Sequence, residues 1–226
     1  LVFSRFLLEK TAFLSLSDMG KALPSYEEIP IACEMDEAVE TEYKRVEHKL
    51  VQVLRSGRRA AQKILSAYLN LLTVYADQPY DQKPILYPDS DVPIVEPENM
   101  GDTDTLGEKE QKTLELVKAA IQNGERALIY TSWVRTDSQQ KLKKLLTDEG
   151  YRTEILTDKI KTTNREEWVQ KKLAAGMQVL IVNPSLVETG LDLNAFTTLV
   201  FYSMGYKLFT LRQASRRSWR INQKAP

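Results

Sequence analysis

Cysteine is almost missing from this 226-residue chain: Cys33 stands alone, which excludes an internal disulfide and any zinc site built on cysteine clusters. A reducing compartment is expected, cytoplasmic, or nuclear in a eukaryote. Histidine is as scarce. His48, the one example, lies in the charged run Tyr43 to Lys49 and reads as a solvated helix residue rather than a catalytic base. No apolar stretch approaches the ~20 residues needed to cross a bilayer, and no basic-then-apolar leader is visible. A soluble globular protein with no membrane contact is expected. Excess charge of one sign is lacking too, with 31 basic against 31 acidic residues, which argues against a strongly basic autonomous nucleic-acid binder. A phosphate loop of the Gly-x-x-x-x-Gly-Lys-Ser/Thr form is absent, so this chain has no loop of its own to cradle a triphosphate. Gly20-Lys21 is followed by Ala22 and reads as an ordinary turn. Asp36-Glu37, after the apolar stretch Ile29 to Cys33, imitates a magnesium-holding acid pair. Without a phosphate loop before it, the pair reads as the acidic start of a helix, and no metal site is expected. The chain opens on Leu1 rather than methionine and is expected to be a portion of a longer protein.

What is present is a core-forming composition, 42% hydrophobic, with a clear change of pattern along the chain. Val39, Tyr43, Val46, Leu50, Val53 and Leu54 recur at near-whole-turn spacing, a break follows at Ser56-Gly57, and Ile64, Tyr68 and Leu71-Leu72 resume it. Two long helices are predicted. Residues 76–107 carry Pro79, Pro84, Pro88, Pro93 and Pro97 among many acids. Proline fixes the backbone and removes donors, so an irregular connector is predicted there. From Glu108 onward helix and strand alternate. Helices are predicted over 108–123, 137–149, 165–174 and from about 208, and strands over 127–131, 152–156, 178–182 and 198–202, with Gly150 and Gly176 just past helix ends. Such alternation predicts an α/β fold, a parallel sheet covered by helices on both faces.

The chemistry-bearing residues cluster at the strand ends and at the chain end. Arg126 to Ile129 runs into Tyr130-Thr131-Ser132-Trp133, and Met177 to Val182 runs into Asn183-Pro184-Ser185 and then Glu188-Thr189-Gly190-Leu191-Asp192-Leu193. Open α/β sheets place ligand chemistry at such ends. The run Gln213-Ala214-Ser215-Arg216-Arg217-Ser218-Trp219-Arg220-Ile221-Asn222-Gln223 would put Gln213, Arg217 and Arg220 on one face of a helix. Two guanidiniums there suit a polyphosphate, since each is permanently charged and planar; the bland reading is a basic surface helix whose stems cover apolar neighbours.

In this order the three segments resemble motifs IV, V and VI of superfamily-two helicases, and most closely the Snf family of DNA-translocating ATPases. Gln213, Ala214, Arg217, Arg220, Ile221 and Gln223 match the family's closing pattern. Asn222 stands where glycine is usual, Trp219 where histidine is frequent, and Glu188 where the Snf family has glycine; the Gly190-Leu191-Asp192 form also resembles DEAD-box proteins. Arg5 to Thr11, Leu23-Pro24 and Glu28 to Tyr43 resemble the Snf-type lead-in, the helix pair its protrusion, and Arg165-Glu166-Glu167-Trp168 its arginine-containing helix start. The resemblance covers most of the chain and is highly specific only in the carboxy-terminal half.

This resemblance implies a RecA-like lobe over residues 108–226, preceded by a lead-in and helical protrusion over 1–80 and a proline-rich acidic connector over 81–107. It implies that ATP with Mg sits between this lobe and a first helicase lobe of the same parent chain, which supplies the phosphate loop and the magnesium acids. Arg217 and Arg220 would be the arginine fingers, Gln213 would orient them or the nucleotide, and Gly190 and Asp192 would line the nucleotide, the acid accepting from a ribose hydroxyl. Thr131, Ser132, Ser185 and Lys161, with Lys159, would meet the nucleic-acid backbone, DNA first with RNA left open. The fragment would be a monomer, inactive as an ATPase alone. Two other classes stay open: a nucleotide-sugar-binding glycosyltransferase lobe, and a non-catalytic α/β interaction module in which the arginines make surface pairs.

Overall fold

A computed structural model describes residues 27–56, 59–88, 90–102, 104–132, 137–187, 190–205, 207–216 and 218. Its centre is a four-stranded sheet made of β3 (Ala127–Tyr130), β4 (Thr153–Leu156), β5 (Val179–Val182) and β6 (Thr198–Phe201). The order across the sheet is β4-β5-β3-β6, and every pairing is parallel, with Ala127 opposite both Val179 and Thr198 and Thr153 opposite Val179. The two central strands are buried at every position because both faces are covered, which is why their sequences are unbroken apolar runs rather than alternations.

Strand alternation sorts the core into two layers. Leu128, Tyr130, Leu156, Leu180 and Val182 face Val169 of α5 (Arg165–Ala174) and Ala214 of α6 (Leu208–Ser215), while Ala127, Ile129, Ile155, Val179 and Ile181 face Val117 of α3 (Glu108–Gln122) and Leu142 and Leu146 of α4 (Ser138–Asp148). Each fully buried aliphatic side chain contributes about 1.5–3 kcal/mol relative to exposure. The predicted elements of this half all form, each within a residue or two of its expected bounds. Gly176 closes α5 at φ +87°, and a β-carbon there would lie 2.2 Å from Arg152 Nη1. Gly176→Ala is therefore expected to cost about 1–3 kcal/mol, from the left-handed backbone and the displaced guanidinium together, read as a lower urea midpoint at unchanged slope.

The predicted helix pair is α1 (Glu37–Arg55) and α2 (Arg59–Asp77). Asp36 caps α1 by accepting from the Ala38 amide, which gives the Asp36-Glu37 pair a helix-start role. Val46 and Leu50 meet Leu71 of α2. The α1 stripe differs from its apolar spacing at one turn: Tyr43 is only half-buried, and Glu42 is 4% exposed. Its carboxylate takes the Arg45 guanidinium at both oxygens, at 2.6 and 2.7 Å, and the Glu98 amide at 2.7 Å, so burial leaves no lone charge. Charge-assisted hydrogen bonding from Arg45 holds the Glu42 carboxyl below its usual range, outweighing the opposing effect of burial.

A lowered folded-state pKa means stability present above the unfolded value, about 4.3 for Glu, and lost as pH falls through the folded value. Tyr75, pushed up to about 12 by burial, stays neutral throughout this range, and Arg45 stays charged. Glu42→Gln is thus expected to lower stability at pH 7 and to flatten its decline below about pH 4.3, measured by urea unfolding across pH.

The connector is more ordered than its prolines predict. β1 (Ile85–Leu86) and β2 (Pro93–Val95) form a two-stranded antiparallel ladder, and Val95 enters the α1–α2 seam. Pro93 opens an edge strand, where the missing N–H costs no ladder bond. Tyr75 Oη donates to the Glu98 carbonyl at 2.7 Å and Arg45 to the Glu96 carbonyl at 2.7 Å, so backbone groups of the connector are fastened to the helices. Strands of two and three residues are too short for a period to show in sequence. No described helix is long and apolar enough to cross a membrane.

Candidate functional site

Parallel strands end on one edge of the sheet, and here that edge gathers hydroxyl and amide residues from three strands. After β3 come Thr131 and Ser132, after β5 Asn183 and Ser185, and after β6 Tyr202 and Ser203. The Ser132 amide donates to Ser203 Oγ at 2.8 Å and its hydroxyl to the Ser203 carbonyl at 2.9 Å, while Asn183 Nδ2 donates to the Ser132 carbonyl at 3.0 Å. Asn183 Oδ1 accepts from both the Ser185 amide and hydroxyl, at 2.9 and 2.6 Å. This is an Asx turn opening the 3₁₀ turn Pro184–Leu186. One hydrogen-bonded chain thus crosses the sheet end from β6 through β3 to β5.

The expected backbone-contact residues fall unequally along it. Ser185 and Lys161 are exposed, as is Lys159, and Ser132 is half-buried. Thr131 is fully buried, with its Oγ1 accepting from Gln139 Nε2 at 2.7 Å, so in this arrangement its hydroxyl holds the start of α4. Nothing in the sequence marks Ser203 or Gln139 as a member of this edge. Asn183-Pro184-Ser185 carried the only local signal, that of a side chain folding back on its own backbone.

The loop after β5 is clamped from α5. Arg165 donates to the Ile160 carbonyl at 3.2 Å and the Leu186 carbonyl at 2.9 Å, and Glu166 accepts from the Asp192 amide at 3.0 Å. Leu191 and Leu193 are buried on either side of Asp192, which leaves Asp192 half-buried at the edge. Asp192 Oδ1 accepts from the Asn194 amide at 3.1 Å. Gly190 sits at φ +73° with no heavy atom within 4 Å of where a β-carbon would stand, so open space meets its backbone.

At the chain end, Ala214 is buried and its carbonyl accepts from Tyr130 Oη at 3.0 Å, which fixes α6 to the central strand. Gln213, next to it, is half-buried. The helix ends at Ser215 with Arg216 as its cap, so the helix expected to carry Gln213 onward through the arginine run stops short of position 217. Arg217 and Arg220 lie outside the described residues, as do Trp133, Glu188 and Thr189.

Residues 108–222 match the family model for the helicase conserved C-terminal domain, a span holding every strand-end group named above and the Gln213 to Arg220 run. The chain belongs to that family. Three solved structures share the fold of this helicase domain. The C-terminal part of the Fun30 ATPase domain superposes with a TM-score of 0.63 at 12% identity, over 86% of this chain and 80% of that one. The Sulfolobus solfataricus SWI2/SNF2 ATPase core in complex with dsDNA gives 0.62 at 18% identity, over 85% and 37%. The isolated C-terminal domain of a Sulfolobus solfataricus SWI2/SNF2 ATPase gives 0.59 at 14%, over 76% and 70%. At these identities the likeness is one of fold. The chain spans 37% of the ATPase core's length, and no curated protein sequence matches it.

Proposed function

We propose that this domain is the C-terminal motor lobe of an ATP-dependent DNA translocase of Snf type. The observation that carries the reading is the Gln213-Ala214-x-x-Arg217-x-x-Arg220 sequence run inside the family-matched span, with Ala214 buried and its carbonyl held by Tyr130 and Gln213 half-buried beside it.

The residues at the edge fit a nucleotide. Among the described residues Asn194 Oδ1 is buried with no hydrogen-bond partner and Asp192 Oδ2 has none, and Gly190 leaves room for close approach. Unsatisfied acceptors beside an open backbone suit the hydroxyls of a ribose. ATP with Mg supplies the phosphoryl group, and a first lobe of the parent chain supplies the phosphate loop and the magnesium acids. This lobe's part is electrostatic. Arg217 and Arg220 place fixed positive charge where negative charge grows on the transferring phosphoryl oxygens, and Gln213 orients them.

Ser132, Ser185 and Lys161 meet the nucleic-acid backbone, Thr131 acting behind them through Gln139. Hydroxyls and amides give sequence-independent contacts, which is what movement along DNA requires. The test is DNA-stimulated ATP hydrolysis by this chain alone and by the chain joined to its own upstream lobe. Stimulated hydrolysis only in the joined form is expected; hydrolysis by the lone chain would overturn the reading.

A further inference from the structure

Two ion pairs, one buried and one half-buried at its lysine, take their members from separate elements near Tyr202. Glu110, at the start of α3, is 4% exposed and Lys141, on α4, is 8% exposed; Nζ and Oε1 are 2.7 Å apart. The same Oε1 accepts from Tyr202 Oη at 3.0 Å, and Oε2 accepts from the Gly107 amide at 3.0 Å. Lys109 pairs with Asp77 at the end of α2 and places its ammonium 4.5 Å from the centre of the Tyr202 ring. Lys141 lies over the Tyr80 ring at 5.7 Å. The Tyr202 phenol is thus held at its hydroxyl by Glu110, which Lys141 of α4 holds in turn, and at its face by Lys109, the partner of Asp77 at the end of α2. Burial first, then the neighbouring Glu110 and Asp77 carboxylates, push this phenol far above its ordinary value, so it remains a donor at any physiological pH.

Tyr202 directly precedes Ser203, the residue that starts the hydrogen-bonded chain across the sheet end. We propose that Tyr202 is a positioning residue, whose hydroxyl on Glu110 fixes the Ser203 turn and thereby links the seating of the helical protrusion to the Ser132–Asn183–Ser185 rim that meets the DNA backbone. The DNA part rests on the motor-lobe reading above. The geometric part does not. The buried Asp77 reaches Tyr202 through the Lys109 ammonium over its ring, and the buried Glu110 holds its hydroxyl, so a shift at either carboxylate bears on the same phenol. The apolar neighbours explain none of this, since a phenylalanine would fill the same space.

Tyr202→Phe keeps the ring over Lys109 and removes only the hydroxyl. In the 226-residue chain, amide hydrogen exchange at Ser132 and Ser203 is expected to rise about tenfold, the scale of one lost hydrogen bond, while Leu128 to Tyr130 keep their protection. Asp77→Asn, which leaves Tyr202 intact but weakens its seat, is expected to raise the same two amides by a smaller factor. Affinity for a mixed-sequence DNA duplex, measured by fluorescence anisotropy, is expected to fall about threefold to tenfold in Tyr202→Phe. Unchanged exchange at Ser132 and Ser203, or an equal rise along all of β3, overturns the positioning role. Changed exchange with unchanged duplex affinity overturns its link to DNA. Should the unmodified chain and its joined form both ignore the duplex, the motor-lobe reading fails, and exchange alone still decides the positioning.

Discussion

In the joined two-lobe protein, Arg217→Ala or Arg220→Ala is expected to reduce DNA-stimulated ATP hydrolysis by about 10³–10⁵, the range removed with an arginine finger elsewhere. At about 1.4 kcal/mol per decade, that is roughly 4–7 kcal/mol of transition-state stabilisation. The effect should appear in kcat rather than in the half-saturating ATP concentration, because the charge being met develops only as the phosphoryl group transfers. Arg217→Lys and Arg220→Lys separate charge from geometry. A lysine keeps one positive charge but not the planar fork, so each is expected to recover only part of the lost rate. Single-turnover hydrolysis with saturating duplex is the measurement. Wild-type rates in either alanine variant would reduce the Gln213 to Arg220 run to a basic surface helix.

The largest stability effect is expected at Lys141. Lys141→Met keeps the length and volume of the stem but leaves Glu110 as a buried carboxylate whose remaining donors are the neutral Tyr202 hydroxyl and the Gly107 amide. Breaking a buried pair from one side costs about 3–5 kcal/mol, because the abandoned charge stays in a medium that solvates it poorly. The double variant Glu110→Gln with Lys141→Met removes both charges and should regain much of the loss. Urea unfolding of the wild type, both singles and the double forms a cycle, and near-additive losses would show that the two groups do not stabilise one another.

The amount of this structure legible in sequence differs between the two halves for a physical reason. In 108–216 the central strands β3 and β5 are solid apolar runs and α3 and α4 are amphipathic helices of 15 and 11 residues, so period and length agree and the bounds follow; α5 over Arg165–Ala174 forms as predicted. In the connector the strands are two and three residues long, and what holds them is Val95 in a seam built by distant helices, which no local pattern records. The burial of Glu42 was hidden likewise: spacing marks Tyr43 as the inward residue, but the partners that make Glu42 comfortable include the Glu98 backbone 56 residues away.

The sequence marks the strand-end residues as types at places: Thr131 and Ser132 follow β3, Ser185 follows β5, and Gly190 and Asp192 lie in the connection from β5 to β6. Which of them is spoken for was not visible. Thr131 is committed to Gln139, and that partner becomes near only once α4 packs back on β3. Asn183 and Ser203, the two groups that tie the edge together, have no signature beyond one Asx turn. The Tyr202 network has no signature in the sequence, since its members come from four stretches of chain that the fold alone assembles.

The strand order has a consequence for how the chain is made. β3 lies inside the sheet only because β6 covers its outer side, and Ser132 and Ser203, which follow those strands, are 71 residues apart. Until residues 198–201 emerge from synthesis, one side of β3 is a row of bare amides and carbonyls flanked by Leu128 and Ile129, an edge open to pairing with a second unfinished chain. A message cut short before Thr198 would leave a product prone to clump, and a ribosome that pauses there would hold the chain at its stickiest moment.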